Sequence, residues 1–327
     1  MKYTTLGRTG VTVSRLALGC MSYGTPAWRP WVLDEAQAQP FFRRALEAGI
    51  NFFDTADMYS MGVSEEITAR ALRKYGQMDE IVLATKVHFP MSKGPNMGGL
   101  SKKHVVQGCE ASLKRLGVET IDLYQIHRWD GSVPVDETLA ALDQLVAQGK
   151  VRYLGASSGP AYKLAKALAL SDARGWARFA SMQNHYNLLY REEEREMLPL
   201  CREEGIAVIP WSPLARGLLA GTRASAQAAS TTARGAADDY TGRLYDAPSD
   251  ADVIAAVRSV AAARGCPPAE VALAWLLSRP GVTAPIVGAT KIEHLEAALK
   301  AVDTVLSDDE VAALEAPYRP HGVRGFA

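Results

Sequence analysis

The 327 residues carry 36 Lys plus Arg against 36 Asp plus Glu, so the net charge is zero and no basic field invites nucleic acid or an anionic membrane. A chain this long can bury a large core and suits an α/β barrel with insertions. The longest apolar run, VALAWLL, is far too short to span a bilayer, and Cys20, Cys109, Cys201 and Cys266 are too scattered for a disulfide framework or a zinc cluster. The opening MKYTTLGRTG lacks the apolar stretch of a secretory signal. These features predict a soluble cytoplasmic protein acting on a small neutral molecule, with no metal, no nucleic acid and no membrane as partner; oligomeric state is open.

In YTTLGRTGVTVSR, Gly7 and Gly10 separate short β-prone pieces, so residues 1–14 are expected to form a hairpin that caps the bottom of the fold. Eight β-rich runs follow: RLALG (15–19), INFFDTA (50–56), IVLATKV (81–87), IDLYQIH (121–127), VRYLGASS (151–158), FASMQN (179–184), IAVIPWS (206–212) and TAPIVGA (283–289). Amphipathic stretches lie between them. SKKHVVQGCEASLKRLG and PVDETLAALDQLVAQGK each open with a Ser or Asp near the start and close on Gly or Gly-Lys, as helix caps would. Eight strand–helix alternations call for a parallel sheet, and closing it predicts a (β/α)8 TIM barrel in one domain over residues 1–327, an open doubly wound sheet being the competing arrangement. EEERE (192–196) reads as the solvated start of a helix. The Ala-, Gly-, Ser-, Thr- and Arg-rich stretch 215–250 lies outside the repeat; a loop that long after strand seven is a candidate lid.

Barrel enzymes place their sites where strands end. Here the strand ends carry Asp54, Lys86, His127, Ser157 with Ser158, Gln183, Trp211 with Ser212, and the stretch from Gly288 to Lys291. Any one of these could be an ordinary solvated boundary; together they converge on the barrel mouth. A lysine beside a carboxylate stays cationic, and a cation near a phenol lowers the phenol from about 10 toward the working range, which makes Tyr59 a usable general acid. A neutral His127 could orient the reacting oxygen. An acid without a nucleophile suggests reduction, and since no side chain donates hydride, a nicotinamide or flavin is required. No G-x-G-x-x-G stands at a strand-to-helix turn, so the barrel mouth itself must hold it. Lys86 as the Schiff-base lysine of an aldolase is the remote alternative.

GINFFDTADMYS, LATKV, QIHRWD, GKVRYLGASS, SMQNHYNLLYR, PWSPLARGLLAG and APIVGATKIEHL, in this order, resemble the aldo-keto reductase family over nearly the whole chain. YNLLYREEEREMLPLCREEG is similar to a bacterial YajO-type branch of NADPH-linked reductases. The resemblance implies NADPH-dependent carbonyl reduction by a catalytic set of Asp54, Tyr59, Lys86 and His127. It puts Ser157 and Gln183 on the nicotinamide carboxamide and Trp211 against the ring, with Ser212, Pro213, Leu214, Gly217 and Leu219 beneath the pyrophosphate. Gly288, Thr290, Lys291 and His294 match the segment for the adenosine 2′-phosphate, and a glycine turn into a helix N-terminus is a sound anion site. Ser158 replaces the usual Asn, His294 the usual Gln, and Ala297 with Ala298 the usual Glu-Asn, so familiar carboxamide and adenine contacts are shortened or missing. Some family members bind nicotinamide as redox-sensing subunits with slow turnover, which an intact catalytic set does not distinguish.

Cys20 and Met21, after strand one, are expected beside the cofactor; a nucleophilic Cys20 lacks a histidine to deprotonate it. Trp211 is core or cofactor platform, its place before Ser-Pro-Leu favouring the second. Tyr23, Trp28, Trp31 and Trp129 could wall the substrate pocket, together with Tyr59 and His127, or merely pack. His88, His104, His185 and His321 show no ligand spacing and read as surface or supporting groups.

Overall fold

The computed structural model describes residues 1–222, 235, 237 and 240–326. It opens on an antiparallel hairpin of β1 (Tyr3–Thr5) and β2 (Thr12–Ser14), with Tyr3 opposite Ser14. Gly7 turns between them at φ 59°, and a Cβ there would stand 2.6 Å from the Gly205 carbonyl oxygen. Only glycine fits both the conformation and the approach.

Eight strands follow: β3 (Ala17–Gly19), β4 (Phe52–Asp54), β5 (Val82–Val87), β6 (Ile121–Ile126), β7 (Val151–Ser157), β8 (Phe179–Gln183), β9 (Ala207–Val208) and β10 (Ile286–Val287). They form one parallel sheet in the order β10-β3-β4-β5-β6-β7-β8-β9. The sheet curls until its ends meet, where Thr283 N donates to Val208 O at 2.8 Å and Ile286 N to Pro210 O at 2.9 Å. This is the expected (β/α)8 barrel. Its strands are shorter than the sequence runs, most of all in IAVIPWS and TAPIVGA, where two residues of each are strand. Pro210 and Pro285 are the reason: neither has an N–H for the ladder, and Pro285 contributes only its carbonyl, which accepts from Ala17 N at 3.0 Å.

The helices α1 (Glu35–Glu47), α2 (Val63–Tyr75), α3 (Lys102–Leu116), α4 (Val135–Ala147), α5 (Ala161–Arg174), α6 (Met197–Glu204), α7 (Tyr240–Leu244), α8 (Asp250–Arg264), α9 (Pro268–Ser278), α10 (Ile292–Ala301) and α11 (Asp308–Glu315) fill the intervals and the C-terminal part. The Ser101 hydroxyl caps α3 by accepting from His104 N at 3.3 Å, and Gly117 ends it at φ 61°. In α4 the cap position falls on Pro134, so Asp136 and Glu137 sit in the first turn and act on the helix dipole instead of capping. The run EEERE departs from its reading: Glu192 and Glu193 are buried, because Tyr318 and His321 of the C-terminal segment bond Glu192 Oε1 at 2.7 and 3.1 Å and cover it. Of the stretch 215–250, residues 223–234, 236, 238 and 239 lie outside the described residues, and the lid reading falls largely on them. Among the described residues no helix is long and apolar enough to cross a membrane.

Strand side chains alternate between two cores. Phe53, Leu83, Tyr124 and Ile126 point outward beneath the helices. Phe52, Val82, Ala84, Leu123, Ala207, Ile209 and Ile286 point inward and meet Leu6 and Val13 of the hairpin, which plug the lower end. The buried polar inward residues Asp54, Lys86, Gln125 and Gln183 lie toward the C-terminal ends of their strands. Leu6 is wholly buried in that plug, so Leu6→Ala is expected to cost about 2–5 kcal/mol in urea unfolding; a loss under about 1 kcal/mol would show a hairpin that is not packed on the barrel.

Candidate active site

Asp54 ends β4, Lys86 sits one residue before the end of β5, and His127 directly follows β6. Parallel register sets Asp54 beside Ala84 and Lys86 beside Gln125, so inward side chains of neighbouring strands meet at one level. Lys86 Nζ donates to Asp54 Oδ1 at 2.5 Å, to the Thr55 carbonyl at 2.8 Å and to the Tyr59 hydroxyl at 3.3 Å. Its side chain is fully buried. Three oxygens satisfy three ammonium donors, leaving none for water.

Tyr59 reaches this group through a strained turn. Ser60 and Met61 adopt left-handed conformations at φ 50° and 53°, sparsely populated for non-glycine residues and costing about 1–3 kcal/mol each. Several contacts hold the turn: Asp57 N bonds the Lys86 carbonyl at 3.3 Å, Asp57 Oδ1 accepts from Met58 N at 2.6 Å, and Ser60 Oγ accepts from Thr25 N at 3.1 Å. The other Asp57 oxygen is buried without a partner, and burial, reinforced by Glu65, pushes that carboxyl up to about 8.

Burial is also the larger influence on Tyr59. It raises the phenol above its usual 10, against the lowering influence of Lys86, so the sequence expectation of a depressed phenol does not hold. The group is held as the neutral acid. Burial opposes the charge on Lys86, but Asp54 and Tyr59 outweigh it and the amine lies above its usual range. A cationic Lys86 is no Schiff-base nucleophile. His127 falls well below 6.5 through burial, then Lys86 and Arg128, and is neutral; its Nδ1 is buried without a partner. The His127 ring lies 5.8 Å from that of Tyr59.

Gln125 escaped the sequence reading. Its Nε2 donates to Asp54 Oδ2 at 2.9 Å, and Gln183 Nε2 donates to the same oxygen at 3.0 Å and to Gln125 Oε1 at 3.0 Å. Gln125 lies two residues before His127, on the same face of β6, and that period was the available signal. Gly155 makes room, since a Cβ there would stand 2.6 Å from Gln125 Cγ.

Above this layer opens a cavity of about 600 Å³. Tyr59, His127, Trp28 and Asp54 line its catalytic end; Gln183, Trp211, Ser212, Pro213, Leu214 and Gly217 form one flank; Met21, Gly288, Thr290 and His294 line the other. Several expected residues are elsewhere. Cys20 starts a turn that points it into the outer core, where its sulfur donates to Leu18 O and burial pushes the thiol up to about 12. Tyr23 is also outer core, against Phe41 and Phe42 at 5.6 and 5.0 Å, and Trp31 is buried away from the cavity. Trp129 packs edge-on to Phe179 at 6.0 Å. Ser157 uses its hydroxyl on Gln183 O at 2.8 Å, Ser158 accepts from Trp211 Nε1 at 2.8 Å, Leu219 is core, and Lys291 is exposed outside the wall.

His185 is no surface group. It is fully buried, stacked between Tyr190 at 4.3 Å and Trp211 at 4.4 Å, with its Nε2 2.7 Å from the Tyr245 hydroxyl. It backs the indole of Trp211, which lines the cavity. These residues fit a nicotinamide dinucleotide: an indole plate in the same wall as Tyr59, backbone opened by Gly217 at φ 100° and Gly288, and the N-terminus of α10. Glu293, in the first turn of α10, also lines the wall and opposes an anion there.

Residues 15–319 match the family model described as the Aldo/keto reductase family. The chain is 43% identical to an aldo-keto reductase of Fusarium vanettenii (99% of this chain, 93% of that protein) and 40% identical to the versiconal hemiacetal acetate reductase of Aspergillus parasiticus (99% and 98%). It is 42% identical to a Schizosaccharomyces pombe protein named as an aryl-alcohol dehydrogenase (99% and 97%). All three are fungal, so the likeness of YNLLYREEEREMLPLCREEG to a bacterial branch remains a likeness of that stretch. With this barrel, this site and these relatives over almost its full length, the chain belongs to the aldo/keto reductase family, oxidoreductases that act on carbonyl and CH–OH groups.

Proposed function

We propose that the protein reduces an aldehyde or ketone to the alcohol with NADPH, Tyr59 acting as general acid. The observation that carries this reading is one buried ammonium, Lys86, bonded to both Asp54 and Tyr59 beneath a cavity large enough for a dinucleotide. Trp211, the stretch from Ser212 to Gly217, and Gly288, Thr290 and His294 would hold the cofactor, which supplies the hydride. Lys291 is near the same helix end, and residues 1–327 are taken as one catalytic domain.

Tyr59 is neutral at working pH and so has a proton to give to the oxygen of the carbonyl as negative charge develops there. Losing that proton leaves a phenolate 3.3 Å from the Lys86 ammonium, the charge best placed to stabilise it. Asp54 holds Lys86 with its charge compensated, and Gln125 with Gln183 holds Asp54. Neutral His127 offers a hydrogen bond that positions the carbonyl oxygen without competing as an acid. The named substrates of the relatives, an aryl alcohol and a hemiacetal acetate, support an aromatic carbonyl compound as substrate class.

Tyr59→Phe is expected to reduce turnover of benzaldehyde by about 10²–10⁴-fold while NADPH still quenches tryptophan fluorescence; unchanged turnover would remove Tyr59 from the chemistry. The pH profile follows from the two shifts: the Tyr59 proton is present below its raised pKa, and His127 stays neutral above its lowered one. Reduction is therefore expected to be flat from about pH 6 to 9 and to fall only above about pH 10. An inflection near pH 6.5 would show a titrating His127 instead. For the cofactor, kcat/KM with NADPH should exceed that with NADH, and equal values would set aside a 2′-phosphate site at Thr290 and His294.

A further inference from the structure

Two guanidinium groups at the catalytic end of the cavity have no carboxylate partner among the described residues. Arg29 lies flat on Trp28, its guanidinium carbon 4.7 Å from the ring centre, and both line the cavity beside Tyr59, whose ring is 6.3 Å from that of Trp28. Arg128 follows His127 and lies 5.7 Å over Trp211 and 6.0 Å over Phe89. One of its nitrogens donates to the His127 carbonyl at 2.6 Å and the Tyr240 hydroxyl is a further hydrogen-bond partner of the guanidinium, while its Nε is buried with no hydrogen-bond partner. The nearest carboxylate on this end of the wall, Asp54, already neutralises Lys86. Glu293 is at the opposite end, on α10.

A cation without a carboxylate counter-charge held partly out of water is costly, and a buried donor left unmet is uncommon in native structures. Trp28, Met58 and Phe89 line the same cavity as the two cations, an apolar and aromatic wall that can bury a flat ring. A planar guanidinium suits a carboxylate better than a point charge would. We infer that the substrate pocket selects aromatic carbonyl compounds that carry an anionic group, the ring against Trp28 and Phe89 and the anion on Arg29 and Arg128. This rests on the reductase reading of the same cavity and adds to it the charge of the substrate.

The test measures kcat/KM for the three carboxybenzaldehyde isomers and their methyl esters, with NADPH, in the unmodified protein and in Arg29→Gln, Arg128→Gln and Arg128→Lys. Ring electronics change intrinsic reactivity, so the readout is the change in the acid-to-ester ratio on substitution. For at least one isomer the ratio should fall about tenfold in each Gln variant, recover in Arg128→Lys, and decline as ionic strength rises. Ratios that move less than about twofold in every variant would overturn the inference while leaving the reductase reading intact. An equal loss for acid and ester in Arg128→Gln, with weaker NADPH binding, would assign Arg128 to the cofactor phosphates and overturn its part in selection. Calorimetry with benzoate needs no turnover: binding that weakens about tenfold in Arg29→Gln supports the anion site even if no aldehyde is reduced, and the absence of benzoate binding to the unmodified protein counts against it.

Discussion

The upper half of this barrel is organised around the Lys86–Asp54 pair. Two charges have been taken out of water there, which is unfavourable unless each remaining lone pair and proton is met. The surroundings do so completely for the ammonium and with two side-chain amides for the carboxylate. Removing either partner would strand the other as a buried charge, at about 3–5 kcal/mol. Hence the pair constrains its neighbours: Gln125 and Gln183 must be amides, Gly155 must lack a side chain, and the Thr55 carbonyl must face inward.

The same pair explains why strain at Ser60 and Met61 is tolerated. Tyr59 can contact Lys86 only if the chain doubles back sharply after β4, and the bonds from Asp57 hold that path. Burial keeps the phenol protonated and the imidazole neutral. Their environments push them in opposite directions. Below, Leu6 and Val13 form an apolar plug.

The cavity wall divides by chemistry as well as by place. Around Trp211 an aromatic stack gives rigidity: the indole is fixed by Ser158 at one edge and by His185 on one face, with the Arg128 guanidinium carbon 5.7 Å from the ring centre. Toward Trp28 and Phe89 the wall is apolar with two cations, and toward α10 it narrows to small residues, Ala297 and Ala298, with Glu293 beside them.

Much of this was readable without coordinates. Eight β-rich runs separated by capped amphipathic stretches were enough for a barrel, because alternation of strand and helix restricts the topology, and Asp54, Lys86 and His127 were legible because strand ends announce themselves where apolar runs stop. Gln125 was less visible since it lies inside the run, with only the two-residue period to mark its face. What the chain alone could not settle was which aromatic residues face the cavity. Tyr23, Trp28, Trp31 and Trp129 are alike in composition and loop position, yet only Trp28 lines it, because loop side chains have no period and their direction depends on what packs behind them. The same holds for charge state: residue types predicted that a cation would act on Tyr59, but only tertiary burial decided that desolvation outweighs that cation, since dielectric surroundings belong to the folded molecule.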